Sequence, residues 1–385
     1  GKMKKLGVAL GGLALVSLAF AQGTIKIGNA YNLTGGLSSL DVPASNGAKL
    51  AVKEINAAGG VLGMKLELVS YDGKTDPATI TNMASQMING DKVVAIAGFT
   101  DSDSVLALGP IAQKAGIPFV TAGATSPLLP SQIGSQMFLA CFGDNVQAAV
   151  GAEFVYKNLK GKTAYLVWDK GTEYTTLLGK YFKDAYAKAG GKLLGEETYK
   201  SGDKNFSAQI TKIKALAQKP DVLYIAAIPD DIGTIVKQFR QAGLTQPIVG
   251  GDGYDTPLLV QVGGKAADNV YFTTHALMDP EKGTPEVKKF IAAYKKEYGK
   301  DPENAFAALG YDAIYLLADA IKRAGSPDPA KITAALNQTR GLKTVTGTIT
   351  FAGSGVPQKA VTVIGVKDLK LNLAASIAPS YVPKP

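Results

Sequence analysis

A chain of 385 residues exceeds one ordinary hydrophobic core and divides most naturally into two domains. Its 46% hydrophobic and 19% charged residues exclude a disordered tail or a low-complexity array. The formal charge of +9 is carried by lysines spread over helix surfaces, such as Lys180, Lys183 and Lys188, without the arginine or aromatic clusters that read nucleic acid, so no nucleic-acid partner is expected.

Residues 1–21 read as a secretory signal peptide: Lys2, Lys4 and Lys5 precede an apolar run from Leu6 to Phe20, and Ala19-Phe20-Ala21 supplies a small–x–small cleavage pattern. Fifteen apolar residues fall short of the ~20 that span a bilayer. The mature chain would begin near Gln22, without a cysteine to carry a lipid anchor and without a later run long enough to insert in a membrane. Cys141 is the sole cysteine, which excludes an intramolecular disulfide, and in the apolar run Met137–Phe142 it reads as a small buried hydrophobe.

From Thr24 onward strands and helices alternate. Ile25–Ala30 is a predicted strand, Leu33–Asp41 a Gly/Ser loop, Ala44–Ala58 an amphipathic helix, Lys65–Tyr71 a strand, Pro77–Asn89 a helix and Val93–Ala97 a strand. A short helix and the strand Ile117–Val120 follow, and after Met137–Phe142 the alternation begins again. Asp144–Asn158, Tyr174–Ala189, Phe206–Gln218 and Asp230–Ala242 read as helices, with strands at Thr163–Trp168, Gly195–Tyr199, Val222–Ala227 and Ile248–Gly250 between and after them. Then come helices at Pro285–Tyr298, Ala305–Ala324 and Ala330–Asn337, and strands at Gly347–Phe351 and Ala360–Val366. The pattern predicts an α/β fold of two doubly wound parallel sheets. Without a Ser/Pro/Gly linker between the halves, the chain should cross between them more than once, near Cys141–Gly143, Thr273–Ala276 and Thr348–Phe351. The expected lobes are 22–141 plus 275–347 and 142–274 plus 348–385.

Two consecutive strand-to-helix turns stand out. Gly98-Phe99-Thr100-Asp101-Ser102-Asp103-Ser104 and Thr121-Ala122-Gly123-Ala124-Thr125-Ser126-Pro127 both run from an apolar strand into small and hydroxylated residues. In an open α/β sheet ligands bind beyond the carboxyl ends of the strands, where helix N-termini present unpaired N–H groups. Ser102 and Thr125 would add hydroxyls there, and Gly123 and Ala124 would allow close backbone approach. The competing reading makes Ser102 and Asp103 mere helix caps and the second turn an ordinary one.

Catalytic constellations are thin. The single histidine, His275, falls in a predicted connector, and no G-x-S-x-G elbow accompanies it. One Cys and one His do not make a zinc site. Gly161-Lys162-Thr163 lacks the first glycine of a phosphate loop and precedes a strand, and no G-x-G-x-x-G follows a strand. No cofactor is called for, and the reading is of a non-enzyme.

Leu33-Thr34-Gly35-Gly36, Gly47–Val52, Glu54–Gly63, Tyr71-Asp72, Asp76-Pro77, Ala115–Pro118, Gly123–Pro127, Arg240–Gly243, Gly250–Gly253 and Tyr311–Ala313 occur in the order seen in one family. The chain resembles, over residues 24–366, the periplasmic substrate-binding proteins of leucine/isoleucine/valine type that serve ABC importers. The resemblance implies a type I periplasmic binding protein fold, two lobes joined by three hinge crossings, closing on an amino acid.

Carried over, it implies a carboxylate site at Ser102, Gly123 and Thr125, with Ala124 beside them, and an ammonium site at Asp252. Tyr174 would cover the pocket from the second lobe, Tyr311 would form a further wall, and Leu40 and Ile228 stand where well-known members carry tyrosines, which favours an aliphatic or aromatic side chain. Asp101 and Asp103 beside the carboxylate site would repel an anion. The implied partners are a small amino acid and the permease subunits of an ABC transporter, with a monomer in the periplasm. The alternatives are a ligand-sensing module on the same fold, or a receptor for a small amide or an aromatic acid.

Overall fold

The computed structural model describes Lys2, Met3 and residues 23–385; the signal peptide expected at 1–21 lies almost wholly outside them. The first lobe is a five-stranded, all-parallel sheet in the order β2-β1-β3-β4-β5, formed by β1 (Ile25–Tyr31), β2 (Leu66–Asp72), β3 (Ala95–Gly98), β4 (Phe119–Thr121) and β5 (Met137–Leu139). Between the strands run α1 (Ser38–Ala57), α2 (Pro77–Ser85), α3 (Ser102–Ala115) and the short α4 (Leu129–Ile133).

The second lobe holds α5 (Asp144–Glu153), β6 (Thr163–Asp169), α6 (Glu173–Ala189), β7 (Lys192–Tyr199), α7 (Ser207–Lys214), β8 (Val222–Ala226), α8 (Pro229–Gln241), β9 (Ile248–Gly250), α9 (Leu258–Gly263) and β10 (Val270–Thr274). Its sheet has seven strands, β14-β13-β10-β9-β8-β6-β7, closed at one edge by the antiparallel β13 (Thr362–Lys367) and β14 (Lys370–Ser376). The chain returns in between to add α10 (Pro285–Tyr298), α11 (Ala305–Ala324), α12 (Pro329–Asn337) and the hairpin of β11 (Leu342–Thr344) with β12 (Gly347–Ile349) to the first lobe. The expected α/β class, two doubly wound lobes joined by three crossings, is therefore the observed one.

Each lobe has its own core. That of the first joins Ile27, Ile96, Val120 and Phe138 of the sheet to Ile314 and Leu317 of α11; that of the second joins Val167, Ile225, Ile248 and Phe272 to Ile232 and Val236 of α8. Apolar runs such as Val222–Ala226, buried at every position, are what a sheet covered on both faces demands. Helices α1 and α11 touch backbone to backbone. A Cβ on Gly47 would stand 1.8 Å from the Ala307 carbonyl oxygen, and one on Gly310 would stand 1.9 Å from that of Ala44. That close approach seats the first turn of α11, and with it Phe306, at the edge of the cleft.

Three expectations need correction. Helix α1 starts at Ser38 rather than Ala44, so Leu40 is helical and not in a loop. Pro43 inside it cannot donate to Ser39, and the Ser39 carbonyl instead accepts Asn304 Nδ2 at 3.1 Å, a partner 265 residues away. The strands β10, β11 and β14 lie outside the predicted ones; Thr273 and Thr274, expected in a crossing, belong to β10. The third crossing comes later than Thr348–Phe351: Ile349 and Phe351 pack in the first core, the Phe351 amide donates to the Thr339 carbonyl, and that of Gly355 still accepts from Leu139. Only at Val361, packed with Phe142, has the chain entered the second lobe.

Candidate functional site

Strands β3 and β4 are neighbours in register, Gly98 beside Thr121, so the two small-residue turns leave the sheet side by side. Facing them are the carboxyl ends of β6, β8 and β9, which lead into Thr172–Tyr174, Ile228-Pro229 and Asp252-Gly253. Between the two sets lies a cavity of about 290 Å³. That is the low end of the range for small-molecule sites, a volume for a solute of few heavy atoms. Its wall is largely apolar, with Leu37, Leu40, Ile80, Ile228, Pro229 and Phe306 among the contributors.

On the first-lobe side Asp101 caps α3, its Oδ2 accepting the Ser104 amide at 3.0 Å and its Oδ1 the Asn32 side chain at 3.5 Å. Ser102 is therefore not the cap. It is the first residue of a 14-residue helix, 1% exposed, on the cavity wall, and its hydroxyl has no partner. An unpaired hydroxyl at the positive end of a helix is a donor waiting for an anion. Burial pushes Asp101 up to about 6, and Asp103, also raised by burial, accepts the Glu173 amide of α6 across the cleft at 3.4 Å.

Thr125 lines the cavity and donates to Asp144 Oδ1 at 2.6 Å, while its carbonyl accepts the Asp144 amide at 2.7 Å. Its hydroxyl oxygen keeps lone pairs for a donor. Burial, reinforced by the charge of Asp252, pushes Asp144 up to about 8. On the opposite side Asp252 lies 3% exposed on the wall. Its Oδ1 accepts Gln147 Nε2 at 3.0 Å, and its Oδ2 lies 2.9 Å from His275 Nε2. Gln147 is itself fixed, its Oε1 accepting from Thr273 at 2.7 Å and from the Asp252 amide at 3.2 Å. The Tyr174 hydroxyl accepts the Gly253 amide at 3.0 Å, and burial holds its pKa well above the ordinary phenol value. A polar contact between Thr256 and Ser39 at 3.0 Å also bridges the lobes, which stand closed.

Of the residues singled out in the sequence, Leu40, Ser102, Thr125, Tyr174, Ile228 and Asp252 meet on this wall. Gly123 lies behind it: its amide donates to the Phe99 carbonyl, and its missing side chain makes room for Phe306, whose ring would be 2.8 Å from a Cβ there. Ala124 is withdrawn, because its amide donates to the Thr121 hydroxyl and its carbonyl faces the Cys141 thiol. Tyr311 is a correction: it lines a separate groove between α1 and α11, where its hydroxyl and that of Tyr315 both bond Glu54. Burial raises the pKa of this phenol, which sits in the midst of α11 with one face against the first core. Phe306 and Gln147 were not singled out in the sequence, and His275, read there as a connector residue, lies against Asp252. Phe306 follows an Asn304 cap and could have been noticed as an aromatic in the first turn of a helix; nothing local marks Gln147.

The cleft between two doubly wound lobes, with an unpaired donor on one side and a wired carboxylate on the other, defines a solute-binding protein. The periplasmic binding protein profile matches residues 24–370, and the chain belongs to that family. A Leu/Ile/Val-binding protein homologue of Brucella melitensis is 31% identical, across 89% of this chain and 90% of its own. The leucine-binding protein LivK of Thermotoga maritima superposes with a TM-score of 0.86 at 36% identity, covering 92% of this chain and 99% of its own. LivJ of Streptococcus pneumoniae, a branched-chain amino-acid transporter substrate-binding protein solved with isoleucine, gives 0.86 at 31% identity with the same coverage.

Proposed function

We propose that this protein is a periplasmic receptor that captures an apolar α-amino acid in the interlobe cleft and presents it to the permease of an ABC importer. The observation that carries the reading is the opposition of Ser102, unpartnered at the N-terminus of α3, and Asp252, a buried carboxylate with both oxygens already fixed. A zwitterion placed between them satisfies both: its carboxylate takes the Ser102 hydroxyl and first-turn amides, and its ammonium takes Asp252 and the Thr125 oxygen. Leu37, Leu40, Ile80 and Ile228 give the ligand side chain an apolar surface, against which burying a charge is costly. The family's relatives named for leucine, isoleucine and valine support the same class.

Thermal scans against an amino-acid panel test this. Ligand at 100 times its Kd adds about 2.7 kcal/mol to native stability. Leucine, isoleucine, valine or phenylalanine should raise the midpoint more than lysine or glutamate; a panel in which no amino acid raises it overturns the reading.

A further inference from the structure

His275 sits in the second crossing, directly after β10, 4% exposed. Three contacts define it. Its Nε2 is 2.9 Å from Asp252 Oδ2; its ring stacks on Phe142 of the first crossing, centroids 4.1 Å apart and planes 13° apart; and it meets Phe306 of the cavity wall edge-on at 5.4 Å. Its Nδ1 has no partner. A ring so enclosed favours the neutral form, and a carboxylate, which offers only acceptors, calls for the proton on Nε2.

Asp252 thus has one donor on each oxygen, Gln147 on Oδ1 and His275 on Oδ2, and the two fix the plane of the carboxylate against the cavity. Removing the Nε2–H would leave a buried carboxylate oxygen unpaired. Such a group turns away or takes up a proton, and either response weakens its attraction for a cation while leaving an uncharged ligand group little affected. The flat apolar faces of Phe142 and Phe306 hold the ring without offering it another polar partner.

We infer that His275 is a positioning residue for amino-group recognition: by fixing the Asp252 carboxylate through Nε2–H it makes the site choose an α-amino acid over the 2-hydroxy acid of the same side chain. The inference rests on the reading of Asp252 as the ammonium partner.

Calorimetric titration of the full chain with leucine and with its 2-hydroxy analogue tests it, using wild type, His275→Leu and His275→Gln, the glutamine amide nitrogen standing where Nε2 stands. His275→Leu should weaken leucine about 10- to 100-fold and the hydroxy acid less than about threefold, and His275→Gln should restore most of the leucine affinity. Equal losses for both ligands would mean a packing role and overturn the inference, with the Asp252 reading intact. A wild type that does not prefer leucine to its hydroxy analogue overturns the Asp252 reading, and this inference with it. Because His275 is the only histidine in the sequence, ¹⁵N imidazole spectra of untagged wild type give an answer even if a variant does not fold. A neutral ring protonated at Nε2, whose Nε2 resonance moves with leucine and not with the hydroxy acid, is expected; protonation at Nδ1 instead overturns the proposal.

Discussion

On the first-lobe wall of the cavity Ser102 carries a buried hydroxyl with no partner, whereas across the cleft Asp252 already holds Gln147 and His275. Under the proposed reading of the cleft, the contrast follows from what each wall must offer. An anion can be bound by groups that are individually neutral, a hydroxyl and helix amides, which cost little to leave open in an empty cleft. A cation needs a full countercharge, and a carboxylate buried without donors would protonate or turn away. The second lobe therefore carries a supporting shell that the first does not need.

The sharpest break in that comparison is Asp252→Asn. With the countercharge gone a buried ammonium is uncompensated at a cost of about 3–5 kcal/mol, so leucine affinity measured by calorimetry should fall by two to four orders of magnitude. The melting temperature of the free protein should change little, because the introduced amide would retain contacts to Gln147. Ser102→Ala should be milder, about 10- to 100-fold for a hydrogen bond to a carboxylate, and should penalise leucine and its 2-hydroxy analogue equally, since both keep the carboxylate. A selective loss of leucine would place Ser102 at the amino end instead. In the free protein the same change removes an unsatisfied buried hydroxyl and should raise stability or leave it unchanged.

Asp144 sharpens the contrast through pH. Its folded pKa of about 8 lies above the ordinary carboxylate value of the unfolded chain, so the folded state holds a proton that the unfolded state releases. The stabilisation is full below the unfolded pKa and lost as pH rises through about 8, by up to about 1.4 kcal/mol per pH unit. Wild type should melt at a higher temperature at pH 6 than at pH 8.5, and Asp144→Asn should flatten that dependence; an unchanged slope would place the proton elsewhere. The smallest expected effect is at Tyr311, in the groove between α1 and α11. Tyr311→Phe should leave leucine affinity within about twofold and lower unfolding free energy by about 0.5–1.5 kcal/mol through loss of the Glu54 bond. A large loss of affinity would return it to the site.

The sequence by itself determined the class of the fold and which strand ends border the interlobe cavity. Alternating short strands and helices admit few arrangements, and buried parallel strands such as Val222–Ala226 need continuous apolar runs that are read without a structure. Ser102 and Thr125 were legible because each lies in the turn that follows a strand, where local chain order and ligand position coincide, whereas Tyr174 and Asp252 came from the family resemblance. Tertiary structure alone decided what depends on distant partners. Helix α1 continues through Pro43 because Asn304 satisfies the carbonyl that the proline abandons, a contact between residues 265 positions apart. Tyr311, in sequence another aromatic on a helix of the first lobe, is turned from the cleft by its bond to Glu54. His275 and Gln147 reach Asp252 from 23 and 105 residues away, through the folding of β10 and α5 against β9, and no local pattern encodes that meeting. Periodicity reports which face of an element is buried; which polar group on that face finds which partner is fixed only when the elements pack.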